Sequence, residues 1–424
     1  MRFLSVVSRI SGVAAALAGS MILWASSAHA GGFWIYEMGT PDLGTASAGR
    51  AALAKDAATV FGNPAGMTKL DRSQLMVGTQ LAIGNVHFDR GSDTTVSGGN
   101  GGNASGVVPG GSLYYAQSVT QNFKLGFWSG SYMGGALNYE NGWSGRYYST
   151  KSELLTLGAG INGAYKITDW LSIGGGPFVL YGKLDEKAAV NNVLDGGSDG
   201  SLKFEDDEPG VGGMVGILLE PYHGGRFGVT YMSPVKLDFK DVLSRNNIGP
   251  TLTTLLDRQL KIGLTVPQQV MLSGYHQLTE RWALMGNLVW QNWSQFGEPE
   301  ISVSDTSVSN EKTNLNYDDA WGFALGAQYA FADGWLWSFG GGFDSSPLSE
   351  SQRSPAIPLD QQYRIGTGIQ YSINDNITIG GAYEYFNGGN ASIDRQRGPL
   401  AGRIQGDYKS NDIHFVALNL AWRF

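Results

Sequence analysis

The chain has 424 residues, of which 62 are Gly and 16% are charged, against usual levels of ~7% and ~25%. The formal net charge is −8, which excludes a nucleic-acid partner, because such a partner needs a basic face. There is no Cys, so a disulfide framework and a thiolate site are both excluded.

Residues 1–30 read as a secretory signal peptide. Arg2 and Arg9 give a basic start, an apolar run follows from Val13 to Trp24, and Ala28-His29-Ala30 is a small-x-small cleavage site. Beyond it there is no apolar run of the ~18 residues that a spanning helix needs. Barrel strands carry a much weaker signal, about ten alternating residues each.

Residues 31–73 precede the first strand pattern. They are rich in Ala and Gly, as in "LGTASAGRAALAKDAATV", and end in "FGNPAGM", Phe61 to Met67. A residue before Pro is pushed out of the helical region, and Asn bonds its own backbone in turns. Asn63, Pro64 and Ala65 therefore mark a rigid stop. The segment is expected to fold into short helices as a plug, or hatch, inside a barrel; a periplasmic tail is the alternative.

From Gln74 the chain reads as fourteen strands, at roughly 74–88, 111–119, 122–139, 152–167, 169–185, 201–220, 224–243, 263–278, 280–303, 315–331, 333–346, 361–373, 375–387 and 407–424. Connections alternate between short and long. "VTQNF", "KITDW", "PYHGGR", "QLTER", "FADGW" and "INDNI" are short. Asp89–Gly110, Glu186–Gly200, Ser244–Ile262 and Pro347–Asp360 are long and polar. This is the periplasmic-turn and extracellular-loop pattern of an outer-membrane barrel. In "HFVALNLAWRF", Val416, Leu418, Leu420, Trp422 and Phe424 share one face, suited to lipid. Trp and Tyr near strand ends fit an interfacial girdle. Pro177, Pro234 and Pro267 fall inside these runs, each a bulge, a strand end or a misplaced boundary. The fold class is thus all-β: a 14-stranded antiparallel transmembrane β-barrel over 74–424, plugged by a helical hatch over 31–73. A secreted soluble β-sandwich does not explain the alternating connections.

Four stretches, in order, carry a resemblance. They are the mature start with Asn63-Pro64-Ala65 and "LDR", then "VKLDFK", then "SGYHQLTERWALMGNLVWQNWSQF", and then "GFDSSPLSESQRSPAIPLDQQYRIGTG". Together they resemble the FadL family of outer-membrane transporters for long-chain fatty acids and other hydrophobic compounds. The likeness runs from Gly31 to Phe424. It implies a passive, binding-driven importer. A hydrophobic ligand enters an inner pocket, displaces the N-terminal residues and leaves sideways through a gap in the wall. The resemblance places Phe33 in the pocket, with Trp34 and Tyr36 adding aromatic surface. It puts basic carboxylate-binding residues near Lys187 and Lys312, each within one residue of the family position. It maps a kinked segment to Ser131–Gly135 of the third strand, where Gly130, Gly134 and Gly135 would permit the bend. The C-terminal Phe424 fits delivery to the barrel-assembly machinery, and outer-membrane lipid and lipopolysaccharide are expected surroundings.

Other motifs carry less. "GAGING" at Gly158–Gly163 matches GxGxxG but lies in a strand with no following helix, so the dinucleotide reading fails. His87, His223, His276 and His414 have no metal-ligand spacing. His87 near Asp89 and Asp93 is the single arrangement that suggests a surface hydrolase. The acidic run Glu205–Glu208 suits Ca²⁺ or a divalent bridge to lipopolysaccharide, and a solvated loop equally. No cofactor, metal or catalytic residue is expected. Neutral or aromatic hydrocarbons are the alternative cargo on the same fold, and a general aqueous porin is the alternative class.

Overall fold

The computed structural model describes residues 35–250, 259–303, 311–312 and 314–424. The signal peptide, Phe33 and Trp34 lie outside the described residues. Twenty strands follow the N-terminal segment: β1 Gln74–Arg90, β2 Val107–Ser118, β3 Phe123–Asn138, β4 Lys151–Lys166, β5 Leu171–Val190, β6 Gly200–Tyr222, β7 Gly225–Met232, β8 Val235–Val242, β9 Ser244–Asn246, β10 Gln259–Val266, β11 Gln269–Gln277, β12 Trp282–Gln291, β13 Glu300–Val303, β14 Glu311–Lys312, β15 Ala320–Ala332, β16 Trp335–Asp344, β17 Gln362–Ser372, β18 Ile377–Asn387, β19 Ile393–Gln396 and β20 Arg403–Arg423.

Fourteen of these close a barrel in the order β1 to β7, β11, β12, β15 to β18 and β20, and β20 pairs back on β1 from Arg423↔Gln74 upward. All ladders are antiparallel, and closure pairs every barrel strand on both sides, as a lipid-embedded sheet requires, with one gap high between β2 and β3. The six short connections are two to four residues long and sit at the end that carries Phe424.

The alternation holds strand by strand. Val416, Leu418, Leu420, Trp422 and Phe424 are exposed on the outer wall, whereas Ala417, Asn419 and Ala421 are buried inside. Trp282 stacks on Tyr329 and Trp335 on Tyr371, so girdle aromatics pair across neighbouring strands.

Three expected strands are interrupted above the barrel. The run 224–243 breaks at Ser233-Pro234 and the run 263–278 at Pro267-Gln268, so both prolines mark strand ends. The run 280–303 contains a helical turn, Trp293–Phe296, before β13. The upper pieces regroup as a second sheet, β14-β13-β10-β8. One face of it, Val235, Leu237 and Phe239 on β8 with Leu260, Ile262 and Leu264 on β10, packs into the main apolar cluster. Pro177 instead stays within β5 and interrupts the ladder to β4 between Gly160↔Phe178 and Gly163↔Gly175, the consequence of a missing N–H.

A plugged lumen and an apolar corridor

The hatch is a chain of single turns: Pro41–Thr45, Arg50–Leu53, Thr59–Gly62 and Pro64–Lys69. No turn could stand alone in water, since helices of this length lack the nucleation energy. The barrel wall holds them. Gly39 N–H donates to Gln80 Oε1 (2.8 Å), Ala51 N–H to Ser273 Oγ (3.1 Å), and the Ser112 hydroxyl donates to Met38 O. Asn162 donates to Val60 O (2.8 Å), Thr230 to Gly62 O (2.9 Å) and Asn287 to Ser47 O (3.2 Å). These wall residues come from six different strands. They satisfy backbone groups that a short buried turn leaves open.

Wall glycines let that backbone come close. A Cβ on Gly228 would lie 1.8 Å from Ala51 O, on Gly340 2.3 Å from Thr45 O, on Gly366 2.3 Å from Leu43 O and on Gly174 2.6 Å from Ala65 N. The hatch's own Ala46, Ala48, Ala52, Ala57 and Ala65 are fully buried. Small residues on both sides of the contact therefore account for much of the Gly and Ala excess.

The expected hatch residues sit at the tightest point. Asn63 has an extended backbone and caps the Pro64–Lys69 turn, its Oδ1 accepting from Ala65 N–H at 3.1 Å. Pro64 occupies the first position of that turn, where no N–H is needed. Asn63 Nδ2 donates to Ala51 O (2.7 Å) and across to Ile217 O on β6 (2.9 Å).

Between hatch and wall lies a buried charge cluster. Arg50 pairs with Asp42 at 2.6 Å and donates to Tyr36 O. Arg364 on β17 pairs with Asp344 on β16 at 2.8 Å and lies over the Tyr36 ring at 4.1 Å. Gln291 donates to the Tyr36 hydroxyl (2.9 Å). Tyr36 thus belongs to the hatch seat and not to a ligand pocket, which corrects the expectation. Glu37 on the hatch and Glu384 on β18 are buried beside this cluster. Nearby, burial pushes the Asp56 carboxyl up to about 6, against the lowering effect of its bond from Ala58 N–H. The space left beside Asp42, Arg50 and Asp56 is about 30 Å³, room for a water and nothing larger.

Above the hatch the lumen is filled by one continuous cluster of buried apolar side chains, the corridor. Its floor is aromatic: Phe61 of the hatch lies 4.6 Å from Trp128 and 6.2 Å from Tyr132 on β3, and Phe178 on β5 lies 5.6 Å from Tyr132. It continues upward through Leu180, Leu184 and Phe204 to Leu237 and Phe239, with Trp293, Phe296, Tyr317, Leu348 and Leu359 closing the side. These side chains pack against one another, so a solute passing here has to part them, and the surface it meets is apolar.

The third strand changes course beside the hatch. The β2–β3 ladder ends at Ser112↔Gly130, although β2 runs on to Val107 and β3 to Asn138. Pro109, in the unpaired part of β2, has no N–H to offer a neighbour. On its other side β3 is bulged at Tyr132, between Ser131↔Leu157 and Met133↔Thr156. None of the three expected glycines has a positive φ. Gly130 makes room for Met38 of the hatch, whose Cε would lie 2.9 Å from a Cβ there, and Gly134 for Leu154 O at 2.5 Å. Gly135 pairs with Leu154.

The two expected lysines fare differently. Lys187 is exposed and shares its face of β5 with Val179 and Tyr181, the outer wall. It does not enter the corridor, which corrects its assignment; the inward neighbour is Glu186, which accepts from Ser152 Oγ at 2.6 Å. Lys312 stands on β14 opposite Glu300, and its side chain lies outside the described residues. The wall hydrogen-bond partners Gln80, Asn162, Thr230, Ser273 and Asn287 were missed by the sequence reading. Their signal was present: each is polar at an inward position of a strand whose outward positions are apolar.

Comparison with known proteins agrees with this geometry. The chain is 26% identical to a long-chain fatty acid transport protein of Escherichia coli O6:H1, covering 93% of this chain and 95% of that one. It is 28% identical to outer membrane protein P1 of Haemophilus influenzae, covering 88% and 89%. In structure it is similar to a Pseudomonas aeruginosa FadL homologue, with TM-score 0.84 at 19% identity, over 93% and 100% of the two chains. The Pseudomonas putida toluene transporter TodX matches at TM-score 0.64 and 15% identity, over 87% and 94%. The sequence profile of the outer membrane protein transport family (OMPP1/FadL/TodX) matches residues 21–424. This chain, a closed 14-stranded barrel of the outer membrane, therefore belongs to the OMPP1/FadL/TodX family.

Proposed function

We propose that the protein carries hydrophobic molecules, long-chain fatty acids above all, passively across the outer membrane. The observation that supports this reading is one juxtaposition: the buried apolar cluster includes Phe61 of the hatch, and Tyr132, in contact with Phe61, stands on the part of β3 that is no longer paired with β2. A solute descending the corridor reaches the aromatic floor of Phe61, Trp128, Tyr132 and Phe178. Its arrival displaces the hatch start, where Met38 packs at Gly130. The solute then leaves between β2 and β3 into the bilayer.

Fatty acids are favoured over aromatic hydrocarbons by the curated relatives named as fatty acid transporters, since the TodX likeness carries the fold alone. Lys312 is the cation proposed to hold the carboxylate. Its strand belongs to the sheet that covers the corridor. The exposed aromatic C-terminus, Phe424, is proposed as the signal read by the barrel-assembly machinery.

The test is direct binding of oleate and of toluene to the refolded protein in detergent. Oleate should bind, Lys312→Ala should weaken it about tenfold or more, as for a lost charge-assisted hydrogen bond, and Lys187→Ala should leave it unchanged. Toluene binding without oleate preference would make the protein a hydrocarbon channel. A bulky Gly134→Val that left uptake intact would remove the sideways exit. Deleting residues 31–73 separates the aqueous-porin reading: a porin is little changed, whereas a plugged transporter becomes leaky to small polar solutes.

A further inference from the structure

The outer wall of β4, β5 and β6 is layered in rows of directly paired residues. Ala159, Val179 and Val211 form an apolar row, and Leu157, Tyr181 and Pro209 lie above it. Next come Leu155, Lys183 and Asp207, then an acidic row of Glu153, Asp185 and Glu205. The top row is Lys151, Lys187 and Lys203, three lysines side by side on three adjacent strands.

The rows can be placed against the membrane. On β5 the outer face is bracketed by Trp170 and Tyr181, both exposed. Eleven residues at ~3.3 Å each, tilted by ~40–45°, project to roughly 26 Å. That is the height of the apolar band of such barrels. Tyr181 therefore marks the outer interface, and the lysine row stands roughly 14 Å above it, within reach of the headgroup layer through flexible stems.

Like charges directly opposite one another destabilise a sheet, so three lysines in register need a reason. The acidic row serves only part of them. Lys151 pairs with Asp185 (2.6 Å) and Glu153 (3.0 Å), and Lys203 pairs with Glu205 and, at 3.7 Å, with Asp185. Lys183 reaches Glu153 and Glu205 at 3.7 and 3.6 Å. Lys187, the central member, is exposed and has no acidic partner among the described residues. Asp185 and Glu153 are covered by these contacts, at 4% and 6% side-chain exposure, whereas Glu205 and Asp207 stay exposed below, so ammonium is presented at the top edge of the patch and carboxylate beneath it.

We propose that this row is a docking surface for the phosphate groups of an anionic glycolipid in the outer leaflet. Lys187 makes the central contact, and Lys151 and Lys203 flank it. A membrane lipid fits better than free phosphate, because an apolar surface with Leu157, Val179 and Val211, all exposed, begins three rows below on the same face, and acyl chains can lie on it. The inference rests on the outer-membrane location and not on the transported cargo.

The experiment uses the full-length protein in detergent and native mass spectrometry with diphosphorylated lipid A, its dephosphorylated form, and inorganic phosphate. Wild type should retain the phosphorylated lipid preferentially. Each lysine near an anionic surface contributes an amount equivalent to about fivefold. Lys187→Gln should therefore cost about fivefold, and the triple Lys151→Gln, Lys187→Gln, Lys203→Gln variant on the order of 100-fold. Gel mobility with and without heating confirms that each variant is a folded barrel. Should Lys187→Gln destabilise it, Lys187→Arg provides the second variant and should keep binding. Equal retention of the phosphorylated and dephosphorylated lipids would overturn the proposal. So would undiminished binding in the triple variant, or binding of inorganic phosphate as strong as that of the lipid. Loss of binding on EDTA treatment, with the lysine variants silent, would assign the lipid to a cation held by the acidic row and would equally overturn it.

Discussion

Asn63 of the hatch and Ile217 of β6 are joined by a single hydrogen bond, from the Asn63 amide to the Ile217 carbonyl at 2.9 Å. The same side chain caps the next turn through its other atom. One residue thus shapes the hatch locally and ties it to the wall, which explains why an Asn-Pro pair stands just ahead of the first strand.

Replacing Asn63 by Ala removes the cap and leaves two buried carbonyls, Ala51 O and Ile217 O, without this donor. The cost is about 3 kcal/mol, taking ~1 for the cap and ~1 for each carbonyl. The loss should fall on the hatch, not the barrel. Amide exchange over residues 35–73 should quicken while barrel melting stays unchanged. Asn63→Asp should be worse, since it keeps the cap but turns a carboxylate oxygen toward two carbonyls.

The wall glycines predict a sharp contrast. Gly228→Ala places a methyl 1.8 Å from Ala51 O, rigid backbone that must move. Gly274→Ala meets nothing nearer than the Phe227 ring at 3.7 Å. The first variant should insert as a barrel and show raised ion conductance in planar bilayers, with the second indistinguishable from wild type. Equal conductance in both would mean that the hatch tolerates displacement at this contact.

Asp56 gives the hatch a pH dependence. Its carboxyl is raised to about 6 by burial, from an ordinary value near ~3.9. The seated hatch thus favours the protonated form. Stability is highest below ~4, falls as pH rises to about 6, and is level above that. Asp56→Asn should abolish this fall in hatch exchange rates. A hatch equally protected at pH 4 and pH 7 in wild type would contradict it.

The barrel was legible because lipid on one side and hatch on the other impose a period of two on every strand, and because turns on one side are short. The upper sheet was not legible. Pro234 and Pro267 were visible, but a proline does not say whether a strand bends or stops. Lys187 shows how small an error matters. A position transferred to within one residue is adequate on a loop, yet on a strand one residue is the difference between lumen and lipid. Counting by twos from the outward Tyr181 reaches Lys187, so the correct face was readable from the residues. The hatch seat was hidden for another reason: its partners lie up to hundreds of residues apart, as with Ala51 and Ser273, and come together only when the barrel closes.

The wall grips the hatch mainly by its main chain, through amides, hydroxyls and the gaps left by glycine. Recognition of that kind reads few of the plug's side chains, Asn63 and Tyr36 among them. The face of the plug turned toward the corridor, Phe61 above all, makes none of these bonds, so it can be recut for a different solute while the stopper keeps its place in the bottle.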